Sequence, residues 1–214
     1  MSAKKGVTFA DDEDIRRFEY ELFEQDERFG LPLRFLSALY QHGYEVVEVR
    51  SQNQTDVVNP FFATVSHQMA RLGVYISWSE LRSEVIKFQK ENVESLRVFM
   101  GMLTSQWHKL GETVEETVEE HIIQLEKNEA MAEIFDFHCT AKFLGVELHV
   151  YSPDYQGELV LRKFNDKSKK KRSIAIILDS SRRPVRLFST LVVHKHRVLD
   201  NPYYMLLKRH KRMK

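Results

Sequence analysis

Cys139 is the only cysteine among 214 residues, and a histidine, His138, stands beside it. A thiol attacks as its thiolate, which needs a cation, a helix N-terminus or a histidine within hydrogen-bond reach. Phe135, Phe137 and Phe143 surround Cys139 at spacings that predict a helix, with the cysteine in its middle. A small thiol in that setting packs as an apolar group. Consecutive residues of a helix do not share a face, so His138 points elsewhere. One cysteine also excludes an intramolecular disulfide and a zinc site of the CxxC type.

His194 and His196 lie two apart and could share one face of an extended segment, which is half of a metal site. No HExxH pattern or third ligand accompanies them, and the 8 glycines form neither GxGxxG nor GxxxxGK. Neither a metal nor a nucleotide cofactor is therefore expected.

The second place with chemical content is Asn59-Pro60. Asparagine is a good N-cap, and proline suits the first helical position, where its missing N–H costs nothing. A helix starting there carries Phe61, Val65 and Met69 inward, after a strand over Tyr44 to Val49 and a polar loop over Ser51 to Asp56.

The surrounding elements follow from periodicity and punctuation. Ile15, Phe18, Leu22 and Phe23 predict a helix from Asp12 to Phe29, stopped by Gly30 and Pro32, and a second helix spans Leu33 to Gln41 before Gly43. Ser77 to Glu80 reads as a capping box for a helix with Leu81, Val85 and Phe88 on one side, and Leu96, Phe99, Met100 and Leu103 continue the helical pattern. Val114 to Lys127 buries Val118, Ile122 and Leu125 and leaves an acidic solvent face. Ala130 to Phe143 is a helix closed by Gly145. Strands are predicted over Val146 to Tyr151, Leu159 to Lys163, Ile174 to Leu178, Val185 to Leu191 and Tyr203 to Leu207. Helices first and strands afterwards predict an α+β fold, a mostly antiparallel or mixed sheet flanked by helices.

The 43% hydrophobic content suits one sizeable core, so residues 12–207 are expected to form a single domain between a disordered arm at 1–11 and a basic tail at 208–214. A formal net charge of +1 gives no general affinity for nucleic acid. No secretory leader or membrane-length apolar run is present, which predicts a soluble nuclear or cytoplasmic protein with no membrane partner.

Phe35 to Val49 followed by Val57-Val58-Asn59-Pro60-Phe61-Phe62-Ala63-Thr64-Val65 resembles the helix, strand and Asp-Gly-Asn-Cys-x-Phe-x-Ala passage of the ovarian-tumour (OTU) family of cysteine proteases. Asp136 to Ala141 with Leu148-His149-Val150-Tyr151-Ser152 is similar to the helix and Ile-x-Val-Tyr-Ser strand of the family, and Asn201-Pro202-Tyr203-Tyr204 is similar to its closing His-Tyr strand. The likeness covers most of residues 33–207 and implies an OTU-like cysteine protease fold. It also implies that Pro60 stands at the nucleophile, Tyr203 at the histidine and Met205 at the orienting acid. Asp56 lies one position early for the family aspartate and is expected to cap its loop.

On that resemblance the chain is expected to have no catalytic residues and not to be an enzyme. The implied role is that of a non-catalytic, deubiquitinase-like adaptor with ubiquitin or another protein as partner. One alternative is an unconventional deubiquitinase, whose thiol would have to be Cys139. Another is a nuclear nucleic-acid accessory protein acting through basic runs.

Lys5-Gly6-Val7-Thr8-Phe9, followed by Ala10-Asp11-Asp12-Glu13-Asp14, resembles the docking motif of protein phosphatase 1 regulators, with Lys5, Val7 and Phe9 as its contact residues. Two apolar anchors at alternating positions suit an extended strand added to a sheet edge. Lys167 to Arg172, with Lys169, Lys170, Lys171 and Arg172 at its centre, and Lys208 to Lys214 resemble nuclear-import or nucleic-acid patches. Aromatic residues do not interleave with these runs, which favours nuclear import over base stacking.

Overall fold

Among the described residues five strands form one sheet in the order β1-β5-β4-β2-β3, with β1 at Tyr44–Val47, β2 at Glu147–Pro153, β3 at Leu159–Phe164, β4 at Ser173–Asp179 and β5 at Arg186–Val192. The structure is a computed structural model, and it describes residues 25, 28–49, 60–99, 101, 117–165, 172–180 and 186–193. Four neighbouring strand pairs hold the sheet. β2 and β4 run parallel, with Val150 opposite Ile176, and the other three pairs are antiparallel.

The described helices are α1 (Leu33–Gln41), α2 (Pro60–Arg71), α3 (Trp78–Glu91), α4 (Val118–Lys127) and α5 (Ile134–Leu144), with a further helical segment at 93–99. Helices lie on both faces of the sheet. Phe61, Val65, Leu81, Val85, Ile122 and Phe137 meet Leu148, Val150, Ile174 and Ile176 on one face. On the other, Phe35, Leu36 and Leu39 of α1 meet Tyr151, Ala175, Ile177 and Phe188. Alternate residues of a strand point to opposite faces, so Ile174 to Ile177, buried on both sides, is an unbroken apolar run. Each fully buried aliphatic side chain contributes about 1.5–3 kcal/mol over its exposed state.

Local signals set several boundaries. Ser77 caps α3 by accepting the Glu80 N–H at 3.2 Å, and Gly145, with φ +63°, closes α5 in the left-handed conformation. Other boundaries differ from expectation. Gln25 bridges to Pro32, residues 28–29 form a turn and Gly30 has φ +62°, so the first expected helix does not reach Phe29. That turn lets Phe29 and Leu31 enter the core under α1. α4 starts at Val118, not Val114, because Thr117 and Glu120 form a reciprocal capping box. α5 starts at Ile134, not Ala130, because Asn128 ends α4 at φ +63° and Glu133 forms a second box with Asp136.

The strands expected at 146–191 are all present with ends moved by one or two residues, and β1 stops at Val47. The strand expected at Tyr203 to Leu207 and the loop over Ser51 to Asp56 lie outside the described residues, as do Asn59 and the segments 1–11 and 208–214. Among the described residues no helix is long and apolar enough to cross a membrane.

Candidate functional site

Pro60 opens α2, and its carbonyl accepts the Thr64 hydroxyl at 2.8 Å. Phe61 and Phe62, the next two residues, are fully buried, with their rings 5.1 Å apart. Phe61 stacks on Phe137 of α5 at 4.4 Å, and Phe137 meets the edge of Phe164 on β3 at 6.0 Å. Three aromatic side chains from three elements thus fix where α2 begins. Pro60 is a helix start whose ring carries neither an N–H nor a thiol.

Cys139 lies on α5 with no exposed surface. Burial, reinforced by the nearby Asp136 carboxylate, pushes its thiol up to about 12, so it stays protonated at neutral pH. His138 points away and stacks on Phe99 at 4.0 Å, and burial, with Lys142 adding to it, pushes its imidazole down to about 4. The two neighbours form no dyad, in agreement with the helical reading of the sequence.

A polar cluster beside Cys139 escaped that reading. The buried Asp136 carboxylate accepts from Gln89 Nε2 at 2.8 Å, from His121 Nε2 at 2.9 Å and from the Glu133 backbone N–H at 2.8 Å. It joins α3, α4 and the start of α5 through one anion, and burying that anion is tolerable because three donors meet it. His121 sits in register with Val118, Ile122 and Leu125, so a histidine within the apolar stripe of α4 was the available signal.

The far end of α2 is pinned to β5. His67 Nδ1 lies 2.8 Å from the Ser189 hydroxyl, Gln68 donates to Ser189 and to the Thr190 carbonyl, and Arg71 donates to that carbonyl too. Burial, and then the Arg71 charge, lowers the basicity of His67. A serine against a histidine is the outline of a nucleophile and its base, but Ser189 has no exposed surface. The contact works as a latch between helix and sheet.

On the α1 face, His149 and Lys163 both meet Glu147, the lysine at 3.8 Å, while the Tyr44 and Tyr151 rings lie 5.4 Å apart. Among the described residues no three histidine, cysteine or carboxylate side chains are placed to hold a metal ion.

Of the other residues singled out in the sequence, Arg172 is described. Its guanidinium donates to the Leu72 carbonyl at 3.4 Å and its own carbonyl accepts the Glu147 N–H at 3.0 Å, which makes it a junction between α2 and the sheet. Tyr203, Met205, Lys5, Val7, Phe9, Lys169, Lys170, Lys171, His194, His196 and Asp56 lie outside the described residues.

No protein-family model matches the chain, and no curated protein matches it. Solved structures do. The OTU domain of OTUD1 matches with a TM-score of 0.47 at 13% identity, over 74% of this chain and 97% of that one. The chain is similar in fold to OTU domains. The OTU domain protease of Dera Ghazi Khan virus matches with a TM-score of 0.46 at 12% identity, over 71% and 82% of the two chains. An OTU deubiquitinase from Wolbachia pipientis wMel, solved bound to ubiquitin, gives 0.46 and 12% over 71% and 97%.

This comparison corrects the expectation that the chain is not an enzyme. The chains of similar fold are named as proteases and as a deubiquitinase, and no observation among the described residues shows inactivity. What the geometry establishes is narrower: in this packing Cys139 is a core residue and Pro60 is a helix start.

Proposed function

We propose that this chain is a protein-binding domain on an OTU-like scaffold, acting as an adaptor. The observation that carries the reading is the start of α2. There Pro60 begins a packed helix terminus, with Phe61 stacked on Phe137 at 4.4 Å, and the motif resemblance likens it to the element that presents the family's reacting group. A helix terminus held in place by packed rings is suited to recognition, which needs a rigid surface. The resemblance of the motifs nominates ubiquitin as the first partner to test. The arm Lys5, Val7 and Phe9 nominates protein phosphatase 1, whose sheet edge would receive Val7 and Phe9 as alternating anchors.

Two measurements on the full chain test the reading. Titration of isotope-labelled ubiquitin should give saturable chemical-shift changes, and a flat titration removes ubiquitin as a partner. Affinity capture from lysate, quantified by mass spectrometry, should recover protein phosphatase 1 with the wild type and lose it with Val7→Ala/Phe9→Ala. Equal recovery with both discards the arm. An electrophilic ubiquitin probe run alongside reports any nucleophile poised at the ubiquitin C-terminus, and its adduct would be mapped to the residue that carries it.

A further inference from the structure

β3 closes one end of the sheet. It pairs in register with β2 from Leu159 opposite Pro153 to Phe164 opposite Leu148, and no strand lies on its other side among the described residues. Such an edge presents unpaired backbone N–H and C=O groups to an incoming strand. Its side chains are graded along its length. Leu159, Val160 and Leu161 are half-buried, whereas Arg162 and Lys163 are exposed.

The pairing fixes which face each side chain joins. Arg162 lies opposite Val150, whose side chain enters the core under α5, and Val160 shares that face. Leu161 and Lys163 lie opposite Tyr151 and His149 on the α1 face. A strand added along β3 would therefore meet Val160 and Arg162 on one face, and Leu159, Leu161 and Lys163 on the other.

Charge selects the occupant. Among the described residues Arg162 makes no ion pair, and Lys163 reaches only Glu147, at 3.8 Å, a carboxylate already shared with His149. The opposite end of the sheet carries the other sign, since the four-residue β1 contains Glu45 and is followed by Glu48. An acidic segment is attracted at β3 and repelled at β1.

We propose that the outer edge of β3 is a docking site for an extended acidic segment of a partner protein, added as a further strand with its carboxylates against Arg162 and Lys163. The proposal deepens the protein-binding reading through residues other than Lys5, Val7 and Phe9. Loss of phosphatase capture and loss of binding here are therefore independent results.

The probe is a fluorescein-labelled synthetic peptide of alternating valine and glutamate, with an alternating valine and lysine peptide of equal length as control. Fluorescence anisotropy with the full chain should show saturable binding of the acidic peptide alone, weakening as salt is added. Amide hydrogen exchange should slow over residues 159–164 when that peptide is present. Arg162→Glu/Lys163→Glu should weaken binding by about tenfold or more. Arg162→Lys/Lys163→Arg, which keeps both charges, should bind within about twofold of wild type and remains informative if the reversal variant fails to fold. Absence of binding, binding equal for both peptides, or slowed exchange elsewhere overturns the proposal. It is also overturned if residues 159–164 exchange slowly without peptide and Asp11→Asn/Asp12→Asn/Asp14→Asn releases them, because the occupant is then this chain's own segment. Concentration-dependent self-association abolished by the charge reversal overturns it in favour of a second copy.

Discussion

His121 Nε2 donates to Asp136 Oδ2 across 2.9 Å, and the two side chains retain 1% and 0% of their exposure. One contact thereby joins the middle of α4 to the first turn of α5, and Gln89 brings α3 to the same carboxylate. The core on this face is held by an anion at its centre as well as by apolar packing.

Removing that anion should be costly. Asp136→Ala leaves Gln89, His121 and the Glu133 N–H without their acceptor, and breaking a buried charged network costs about 3 kcal/mol or more. Urea unfolding followed by circular dichroism measures the difference. A loss below about 1 kcal/mol would mean that water reaches the site and the network is not closed.

Phe61→Ala should lower stability by about 3–5 kcal/mol, since a fully buried ring is replaced by a cavity. A double-mutant cycle with Phe137→Ala should give a coupling of about 0.5–1.5 kcal/mol beyond the lost area, the size expected for a stacked aromatic pair. Additive losses would show that the rings pack independently.

His138 makes stability depend on pH. Its imidazole falls from 6.5 unfolded to about 4 folded, so between these values the unfolded chain binds more protons. Stability is therefore fully present above about pH 6.5 and lost as pH falls towards 4. His67, also lowered, contributes with the same sign. Unfolding free energies at pH 7 and pH 5 should differ less in His138→Phe than in wild type, and an equal difference would assign the dependence to other groups.

Cys139 should resist thiol reagents in the native state. With no exposed surface and a thiol pushed up to about 12, it lacks both access and thiolate. Iodoacetamide labelling at neutral pH should be slow, tracking the small unfolded population, and accelerate in urea. Fast labelling of the folded chain would place Cys139 in an open environment and contradict its core role.

Much of the scaffold was legible from short stretches. Ser77 before Glu80, Pro60 before two phenylalanines and Gly145 after Leu144 are signals whose physics is local: a hydroxyl that caps a free N–H, a ring that suits a helix start, and a residue that tolerates positive φ. The apolar spacing that buries Phe61, Val65 and Met69 is equally local. Where local signals competed, the boundary moved. Thr117 and Glu133 override the looser apolar pattern because a reciprocal box satisfies two backbone donors at once.

The sequence by itself determined the α+β class, the strand order along the chain, the helix start at Pro60 and the core character of Cys139, because each depends on residues within a turn or two of one another. Only the tertiary structure decided that β2 runs parallel to β4, that β3 is an edge strand among the described residues with Arg162 and Lys163 exposed, that His121 reaches Asp136, and that His67 meets Ser189 across 122 positions of chain. These contacts join segments that carry no mark of one another. Their partners are chosen when apolar faces pack and each buried polar group must find a mate.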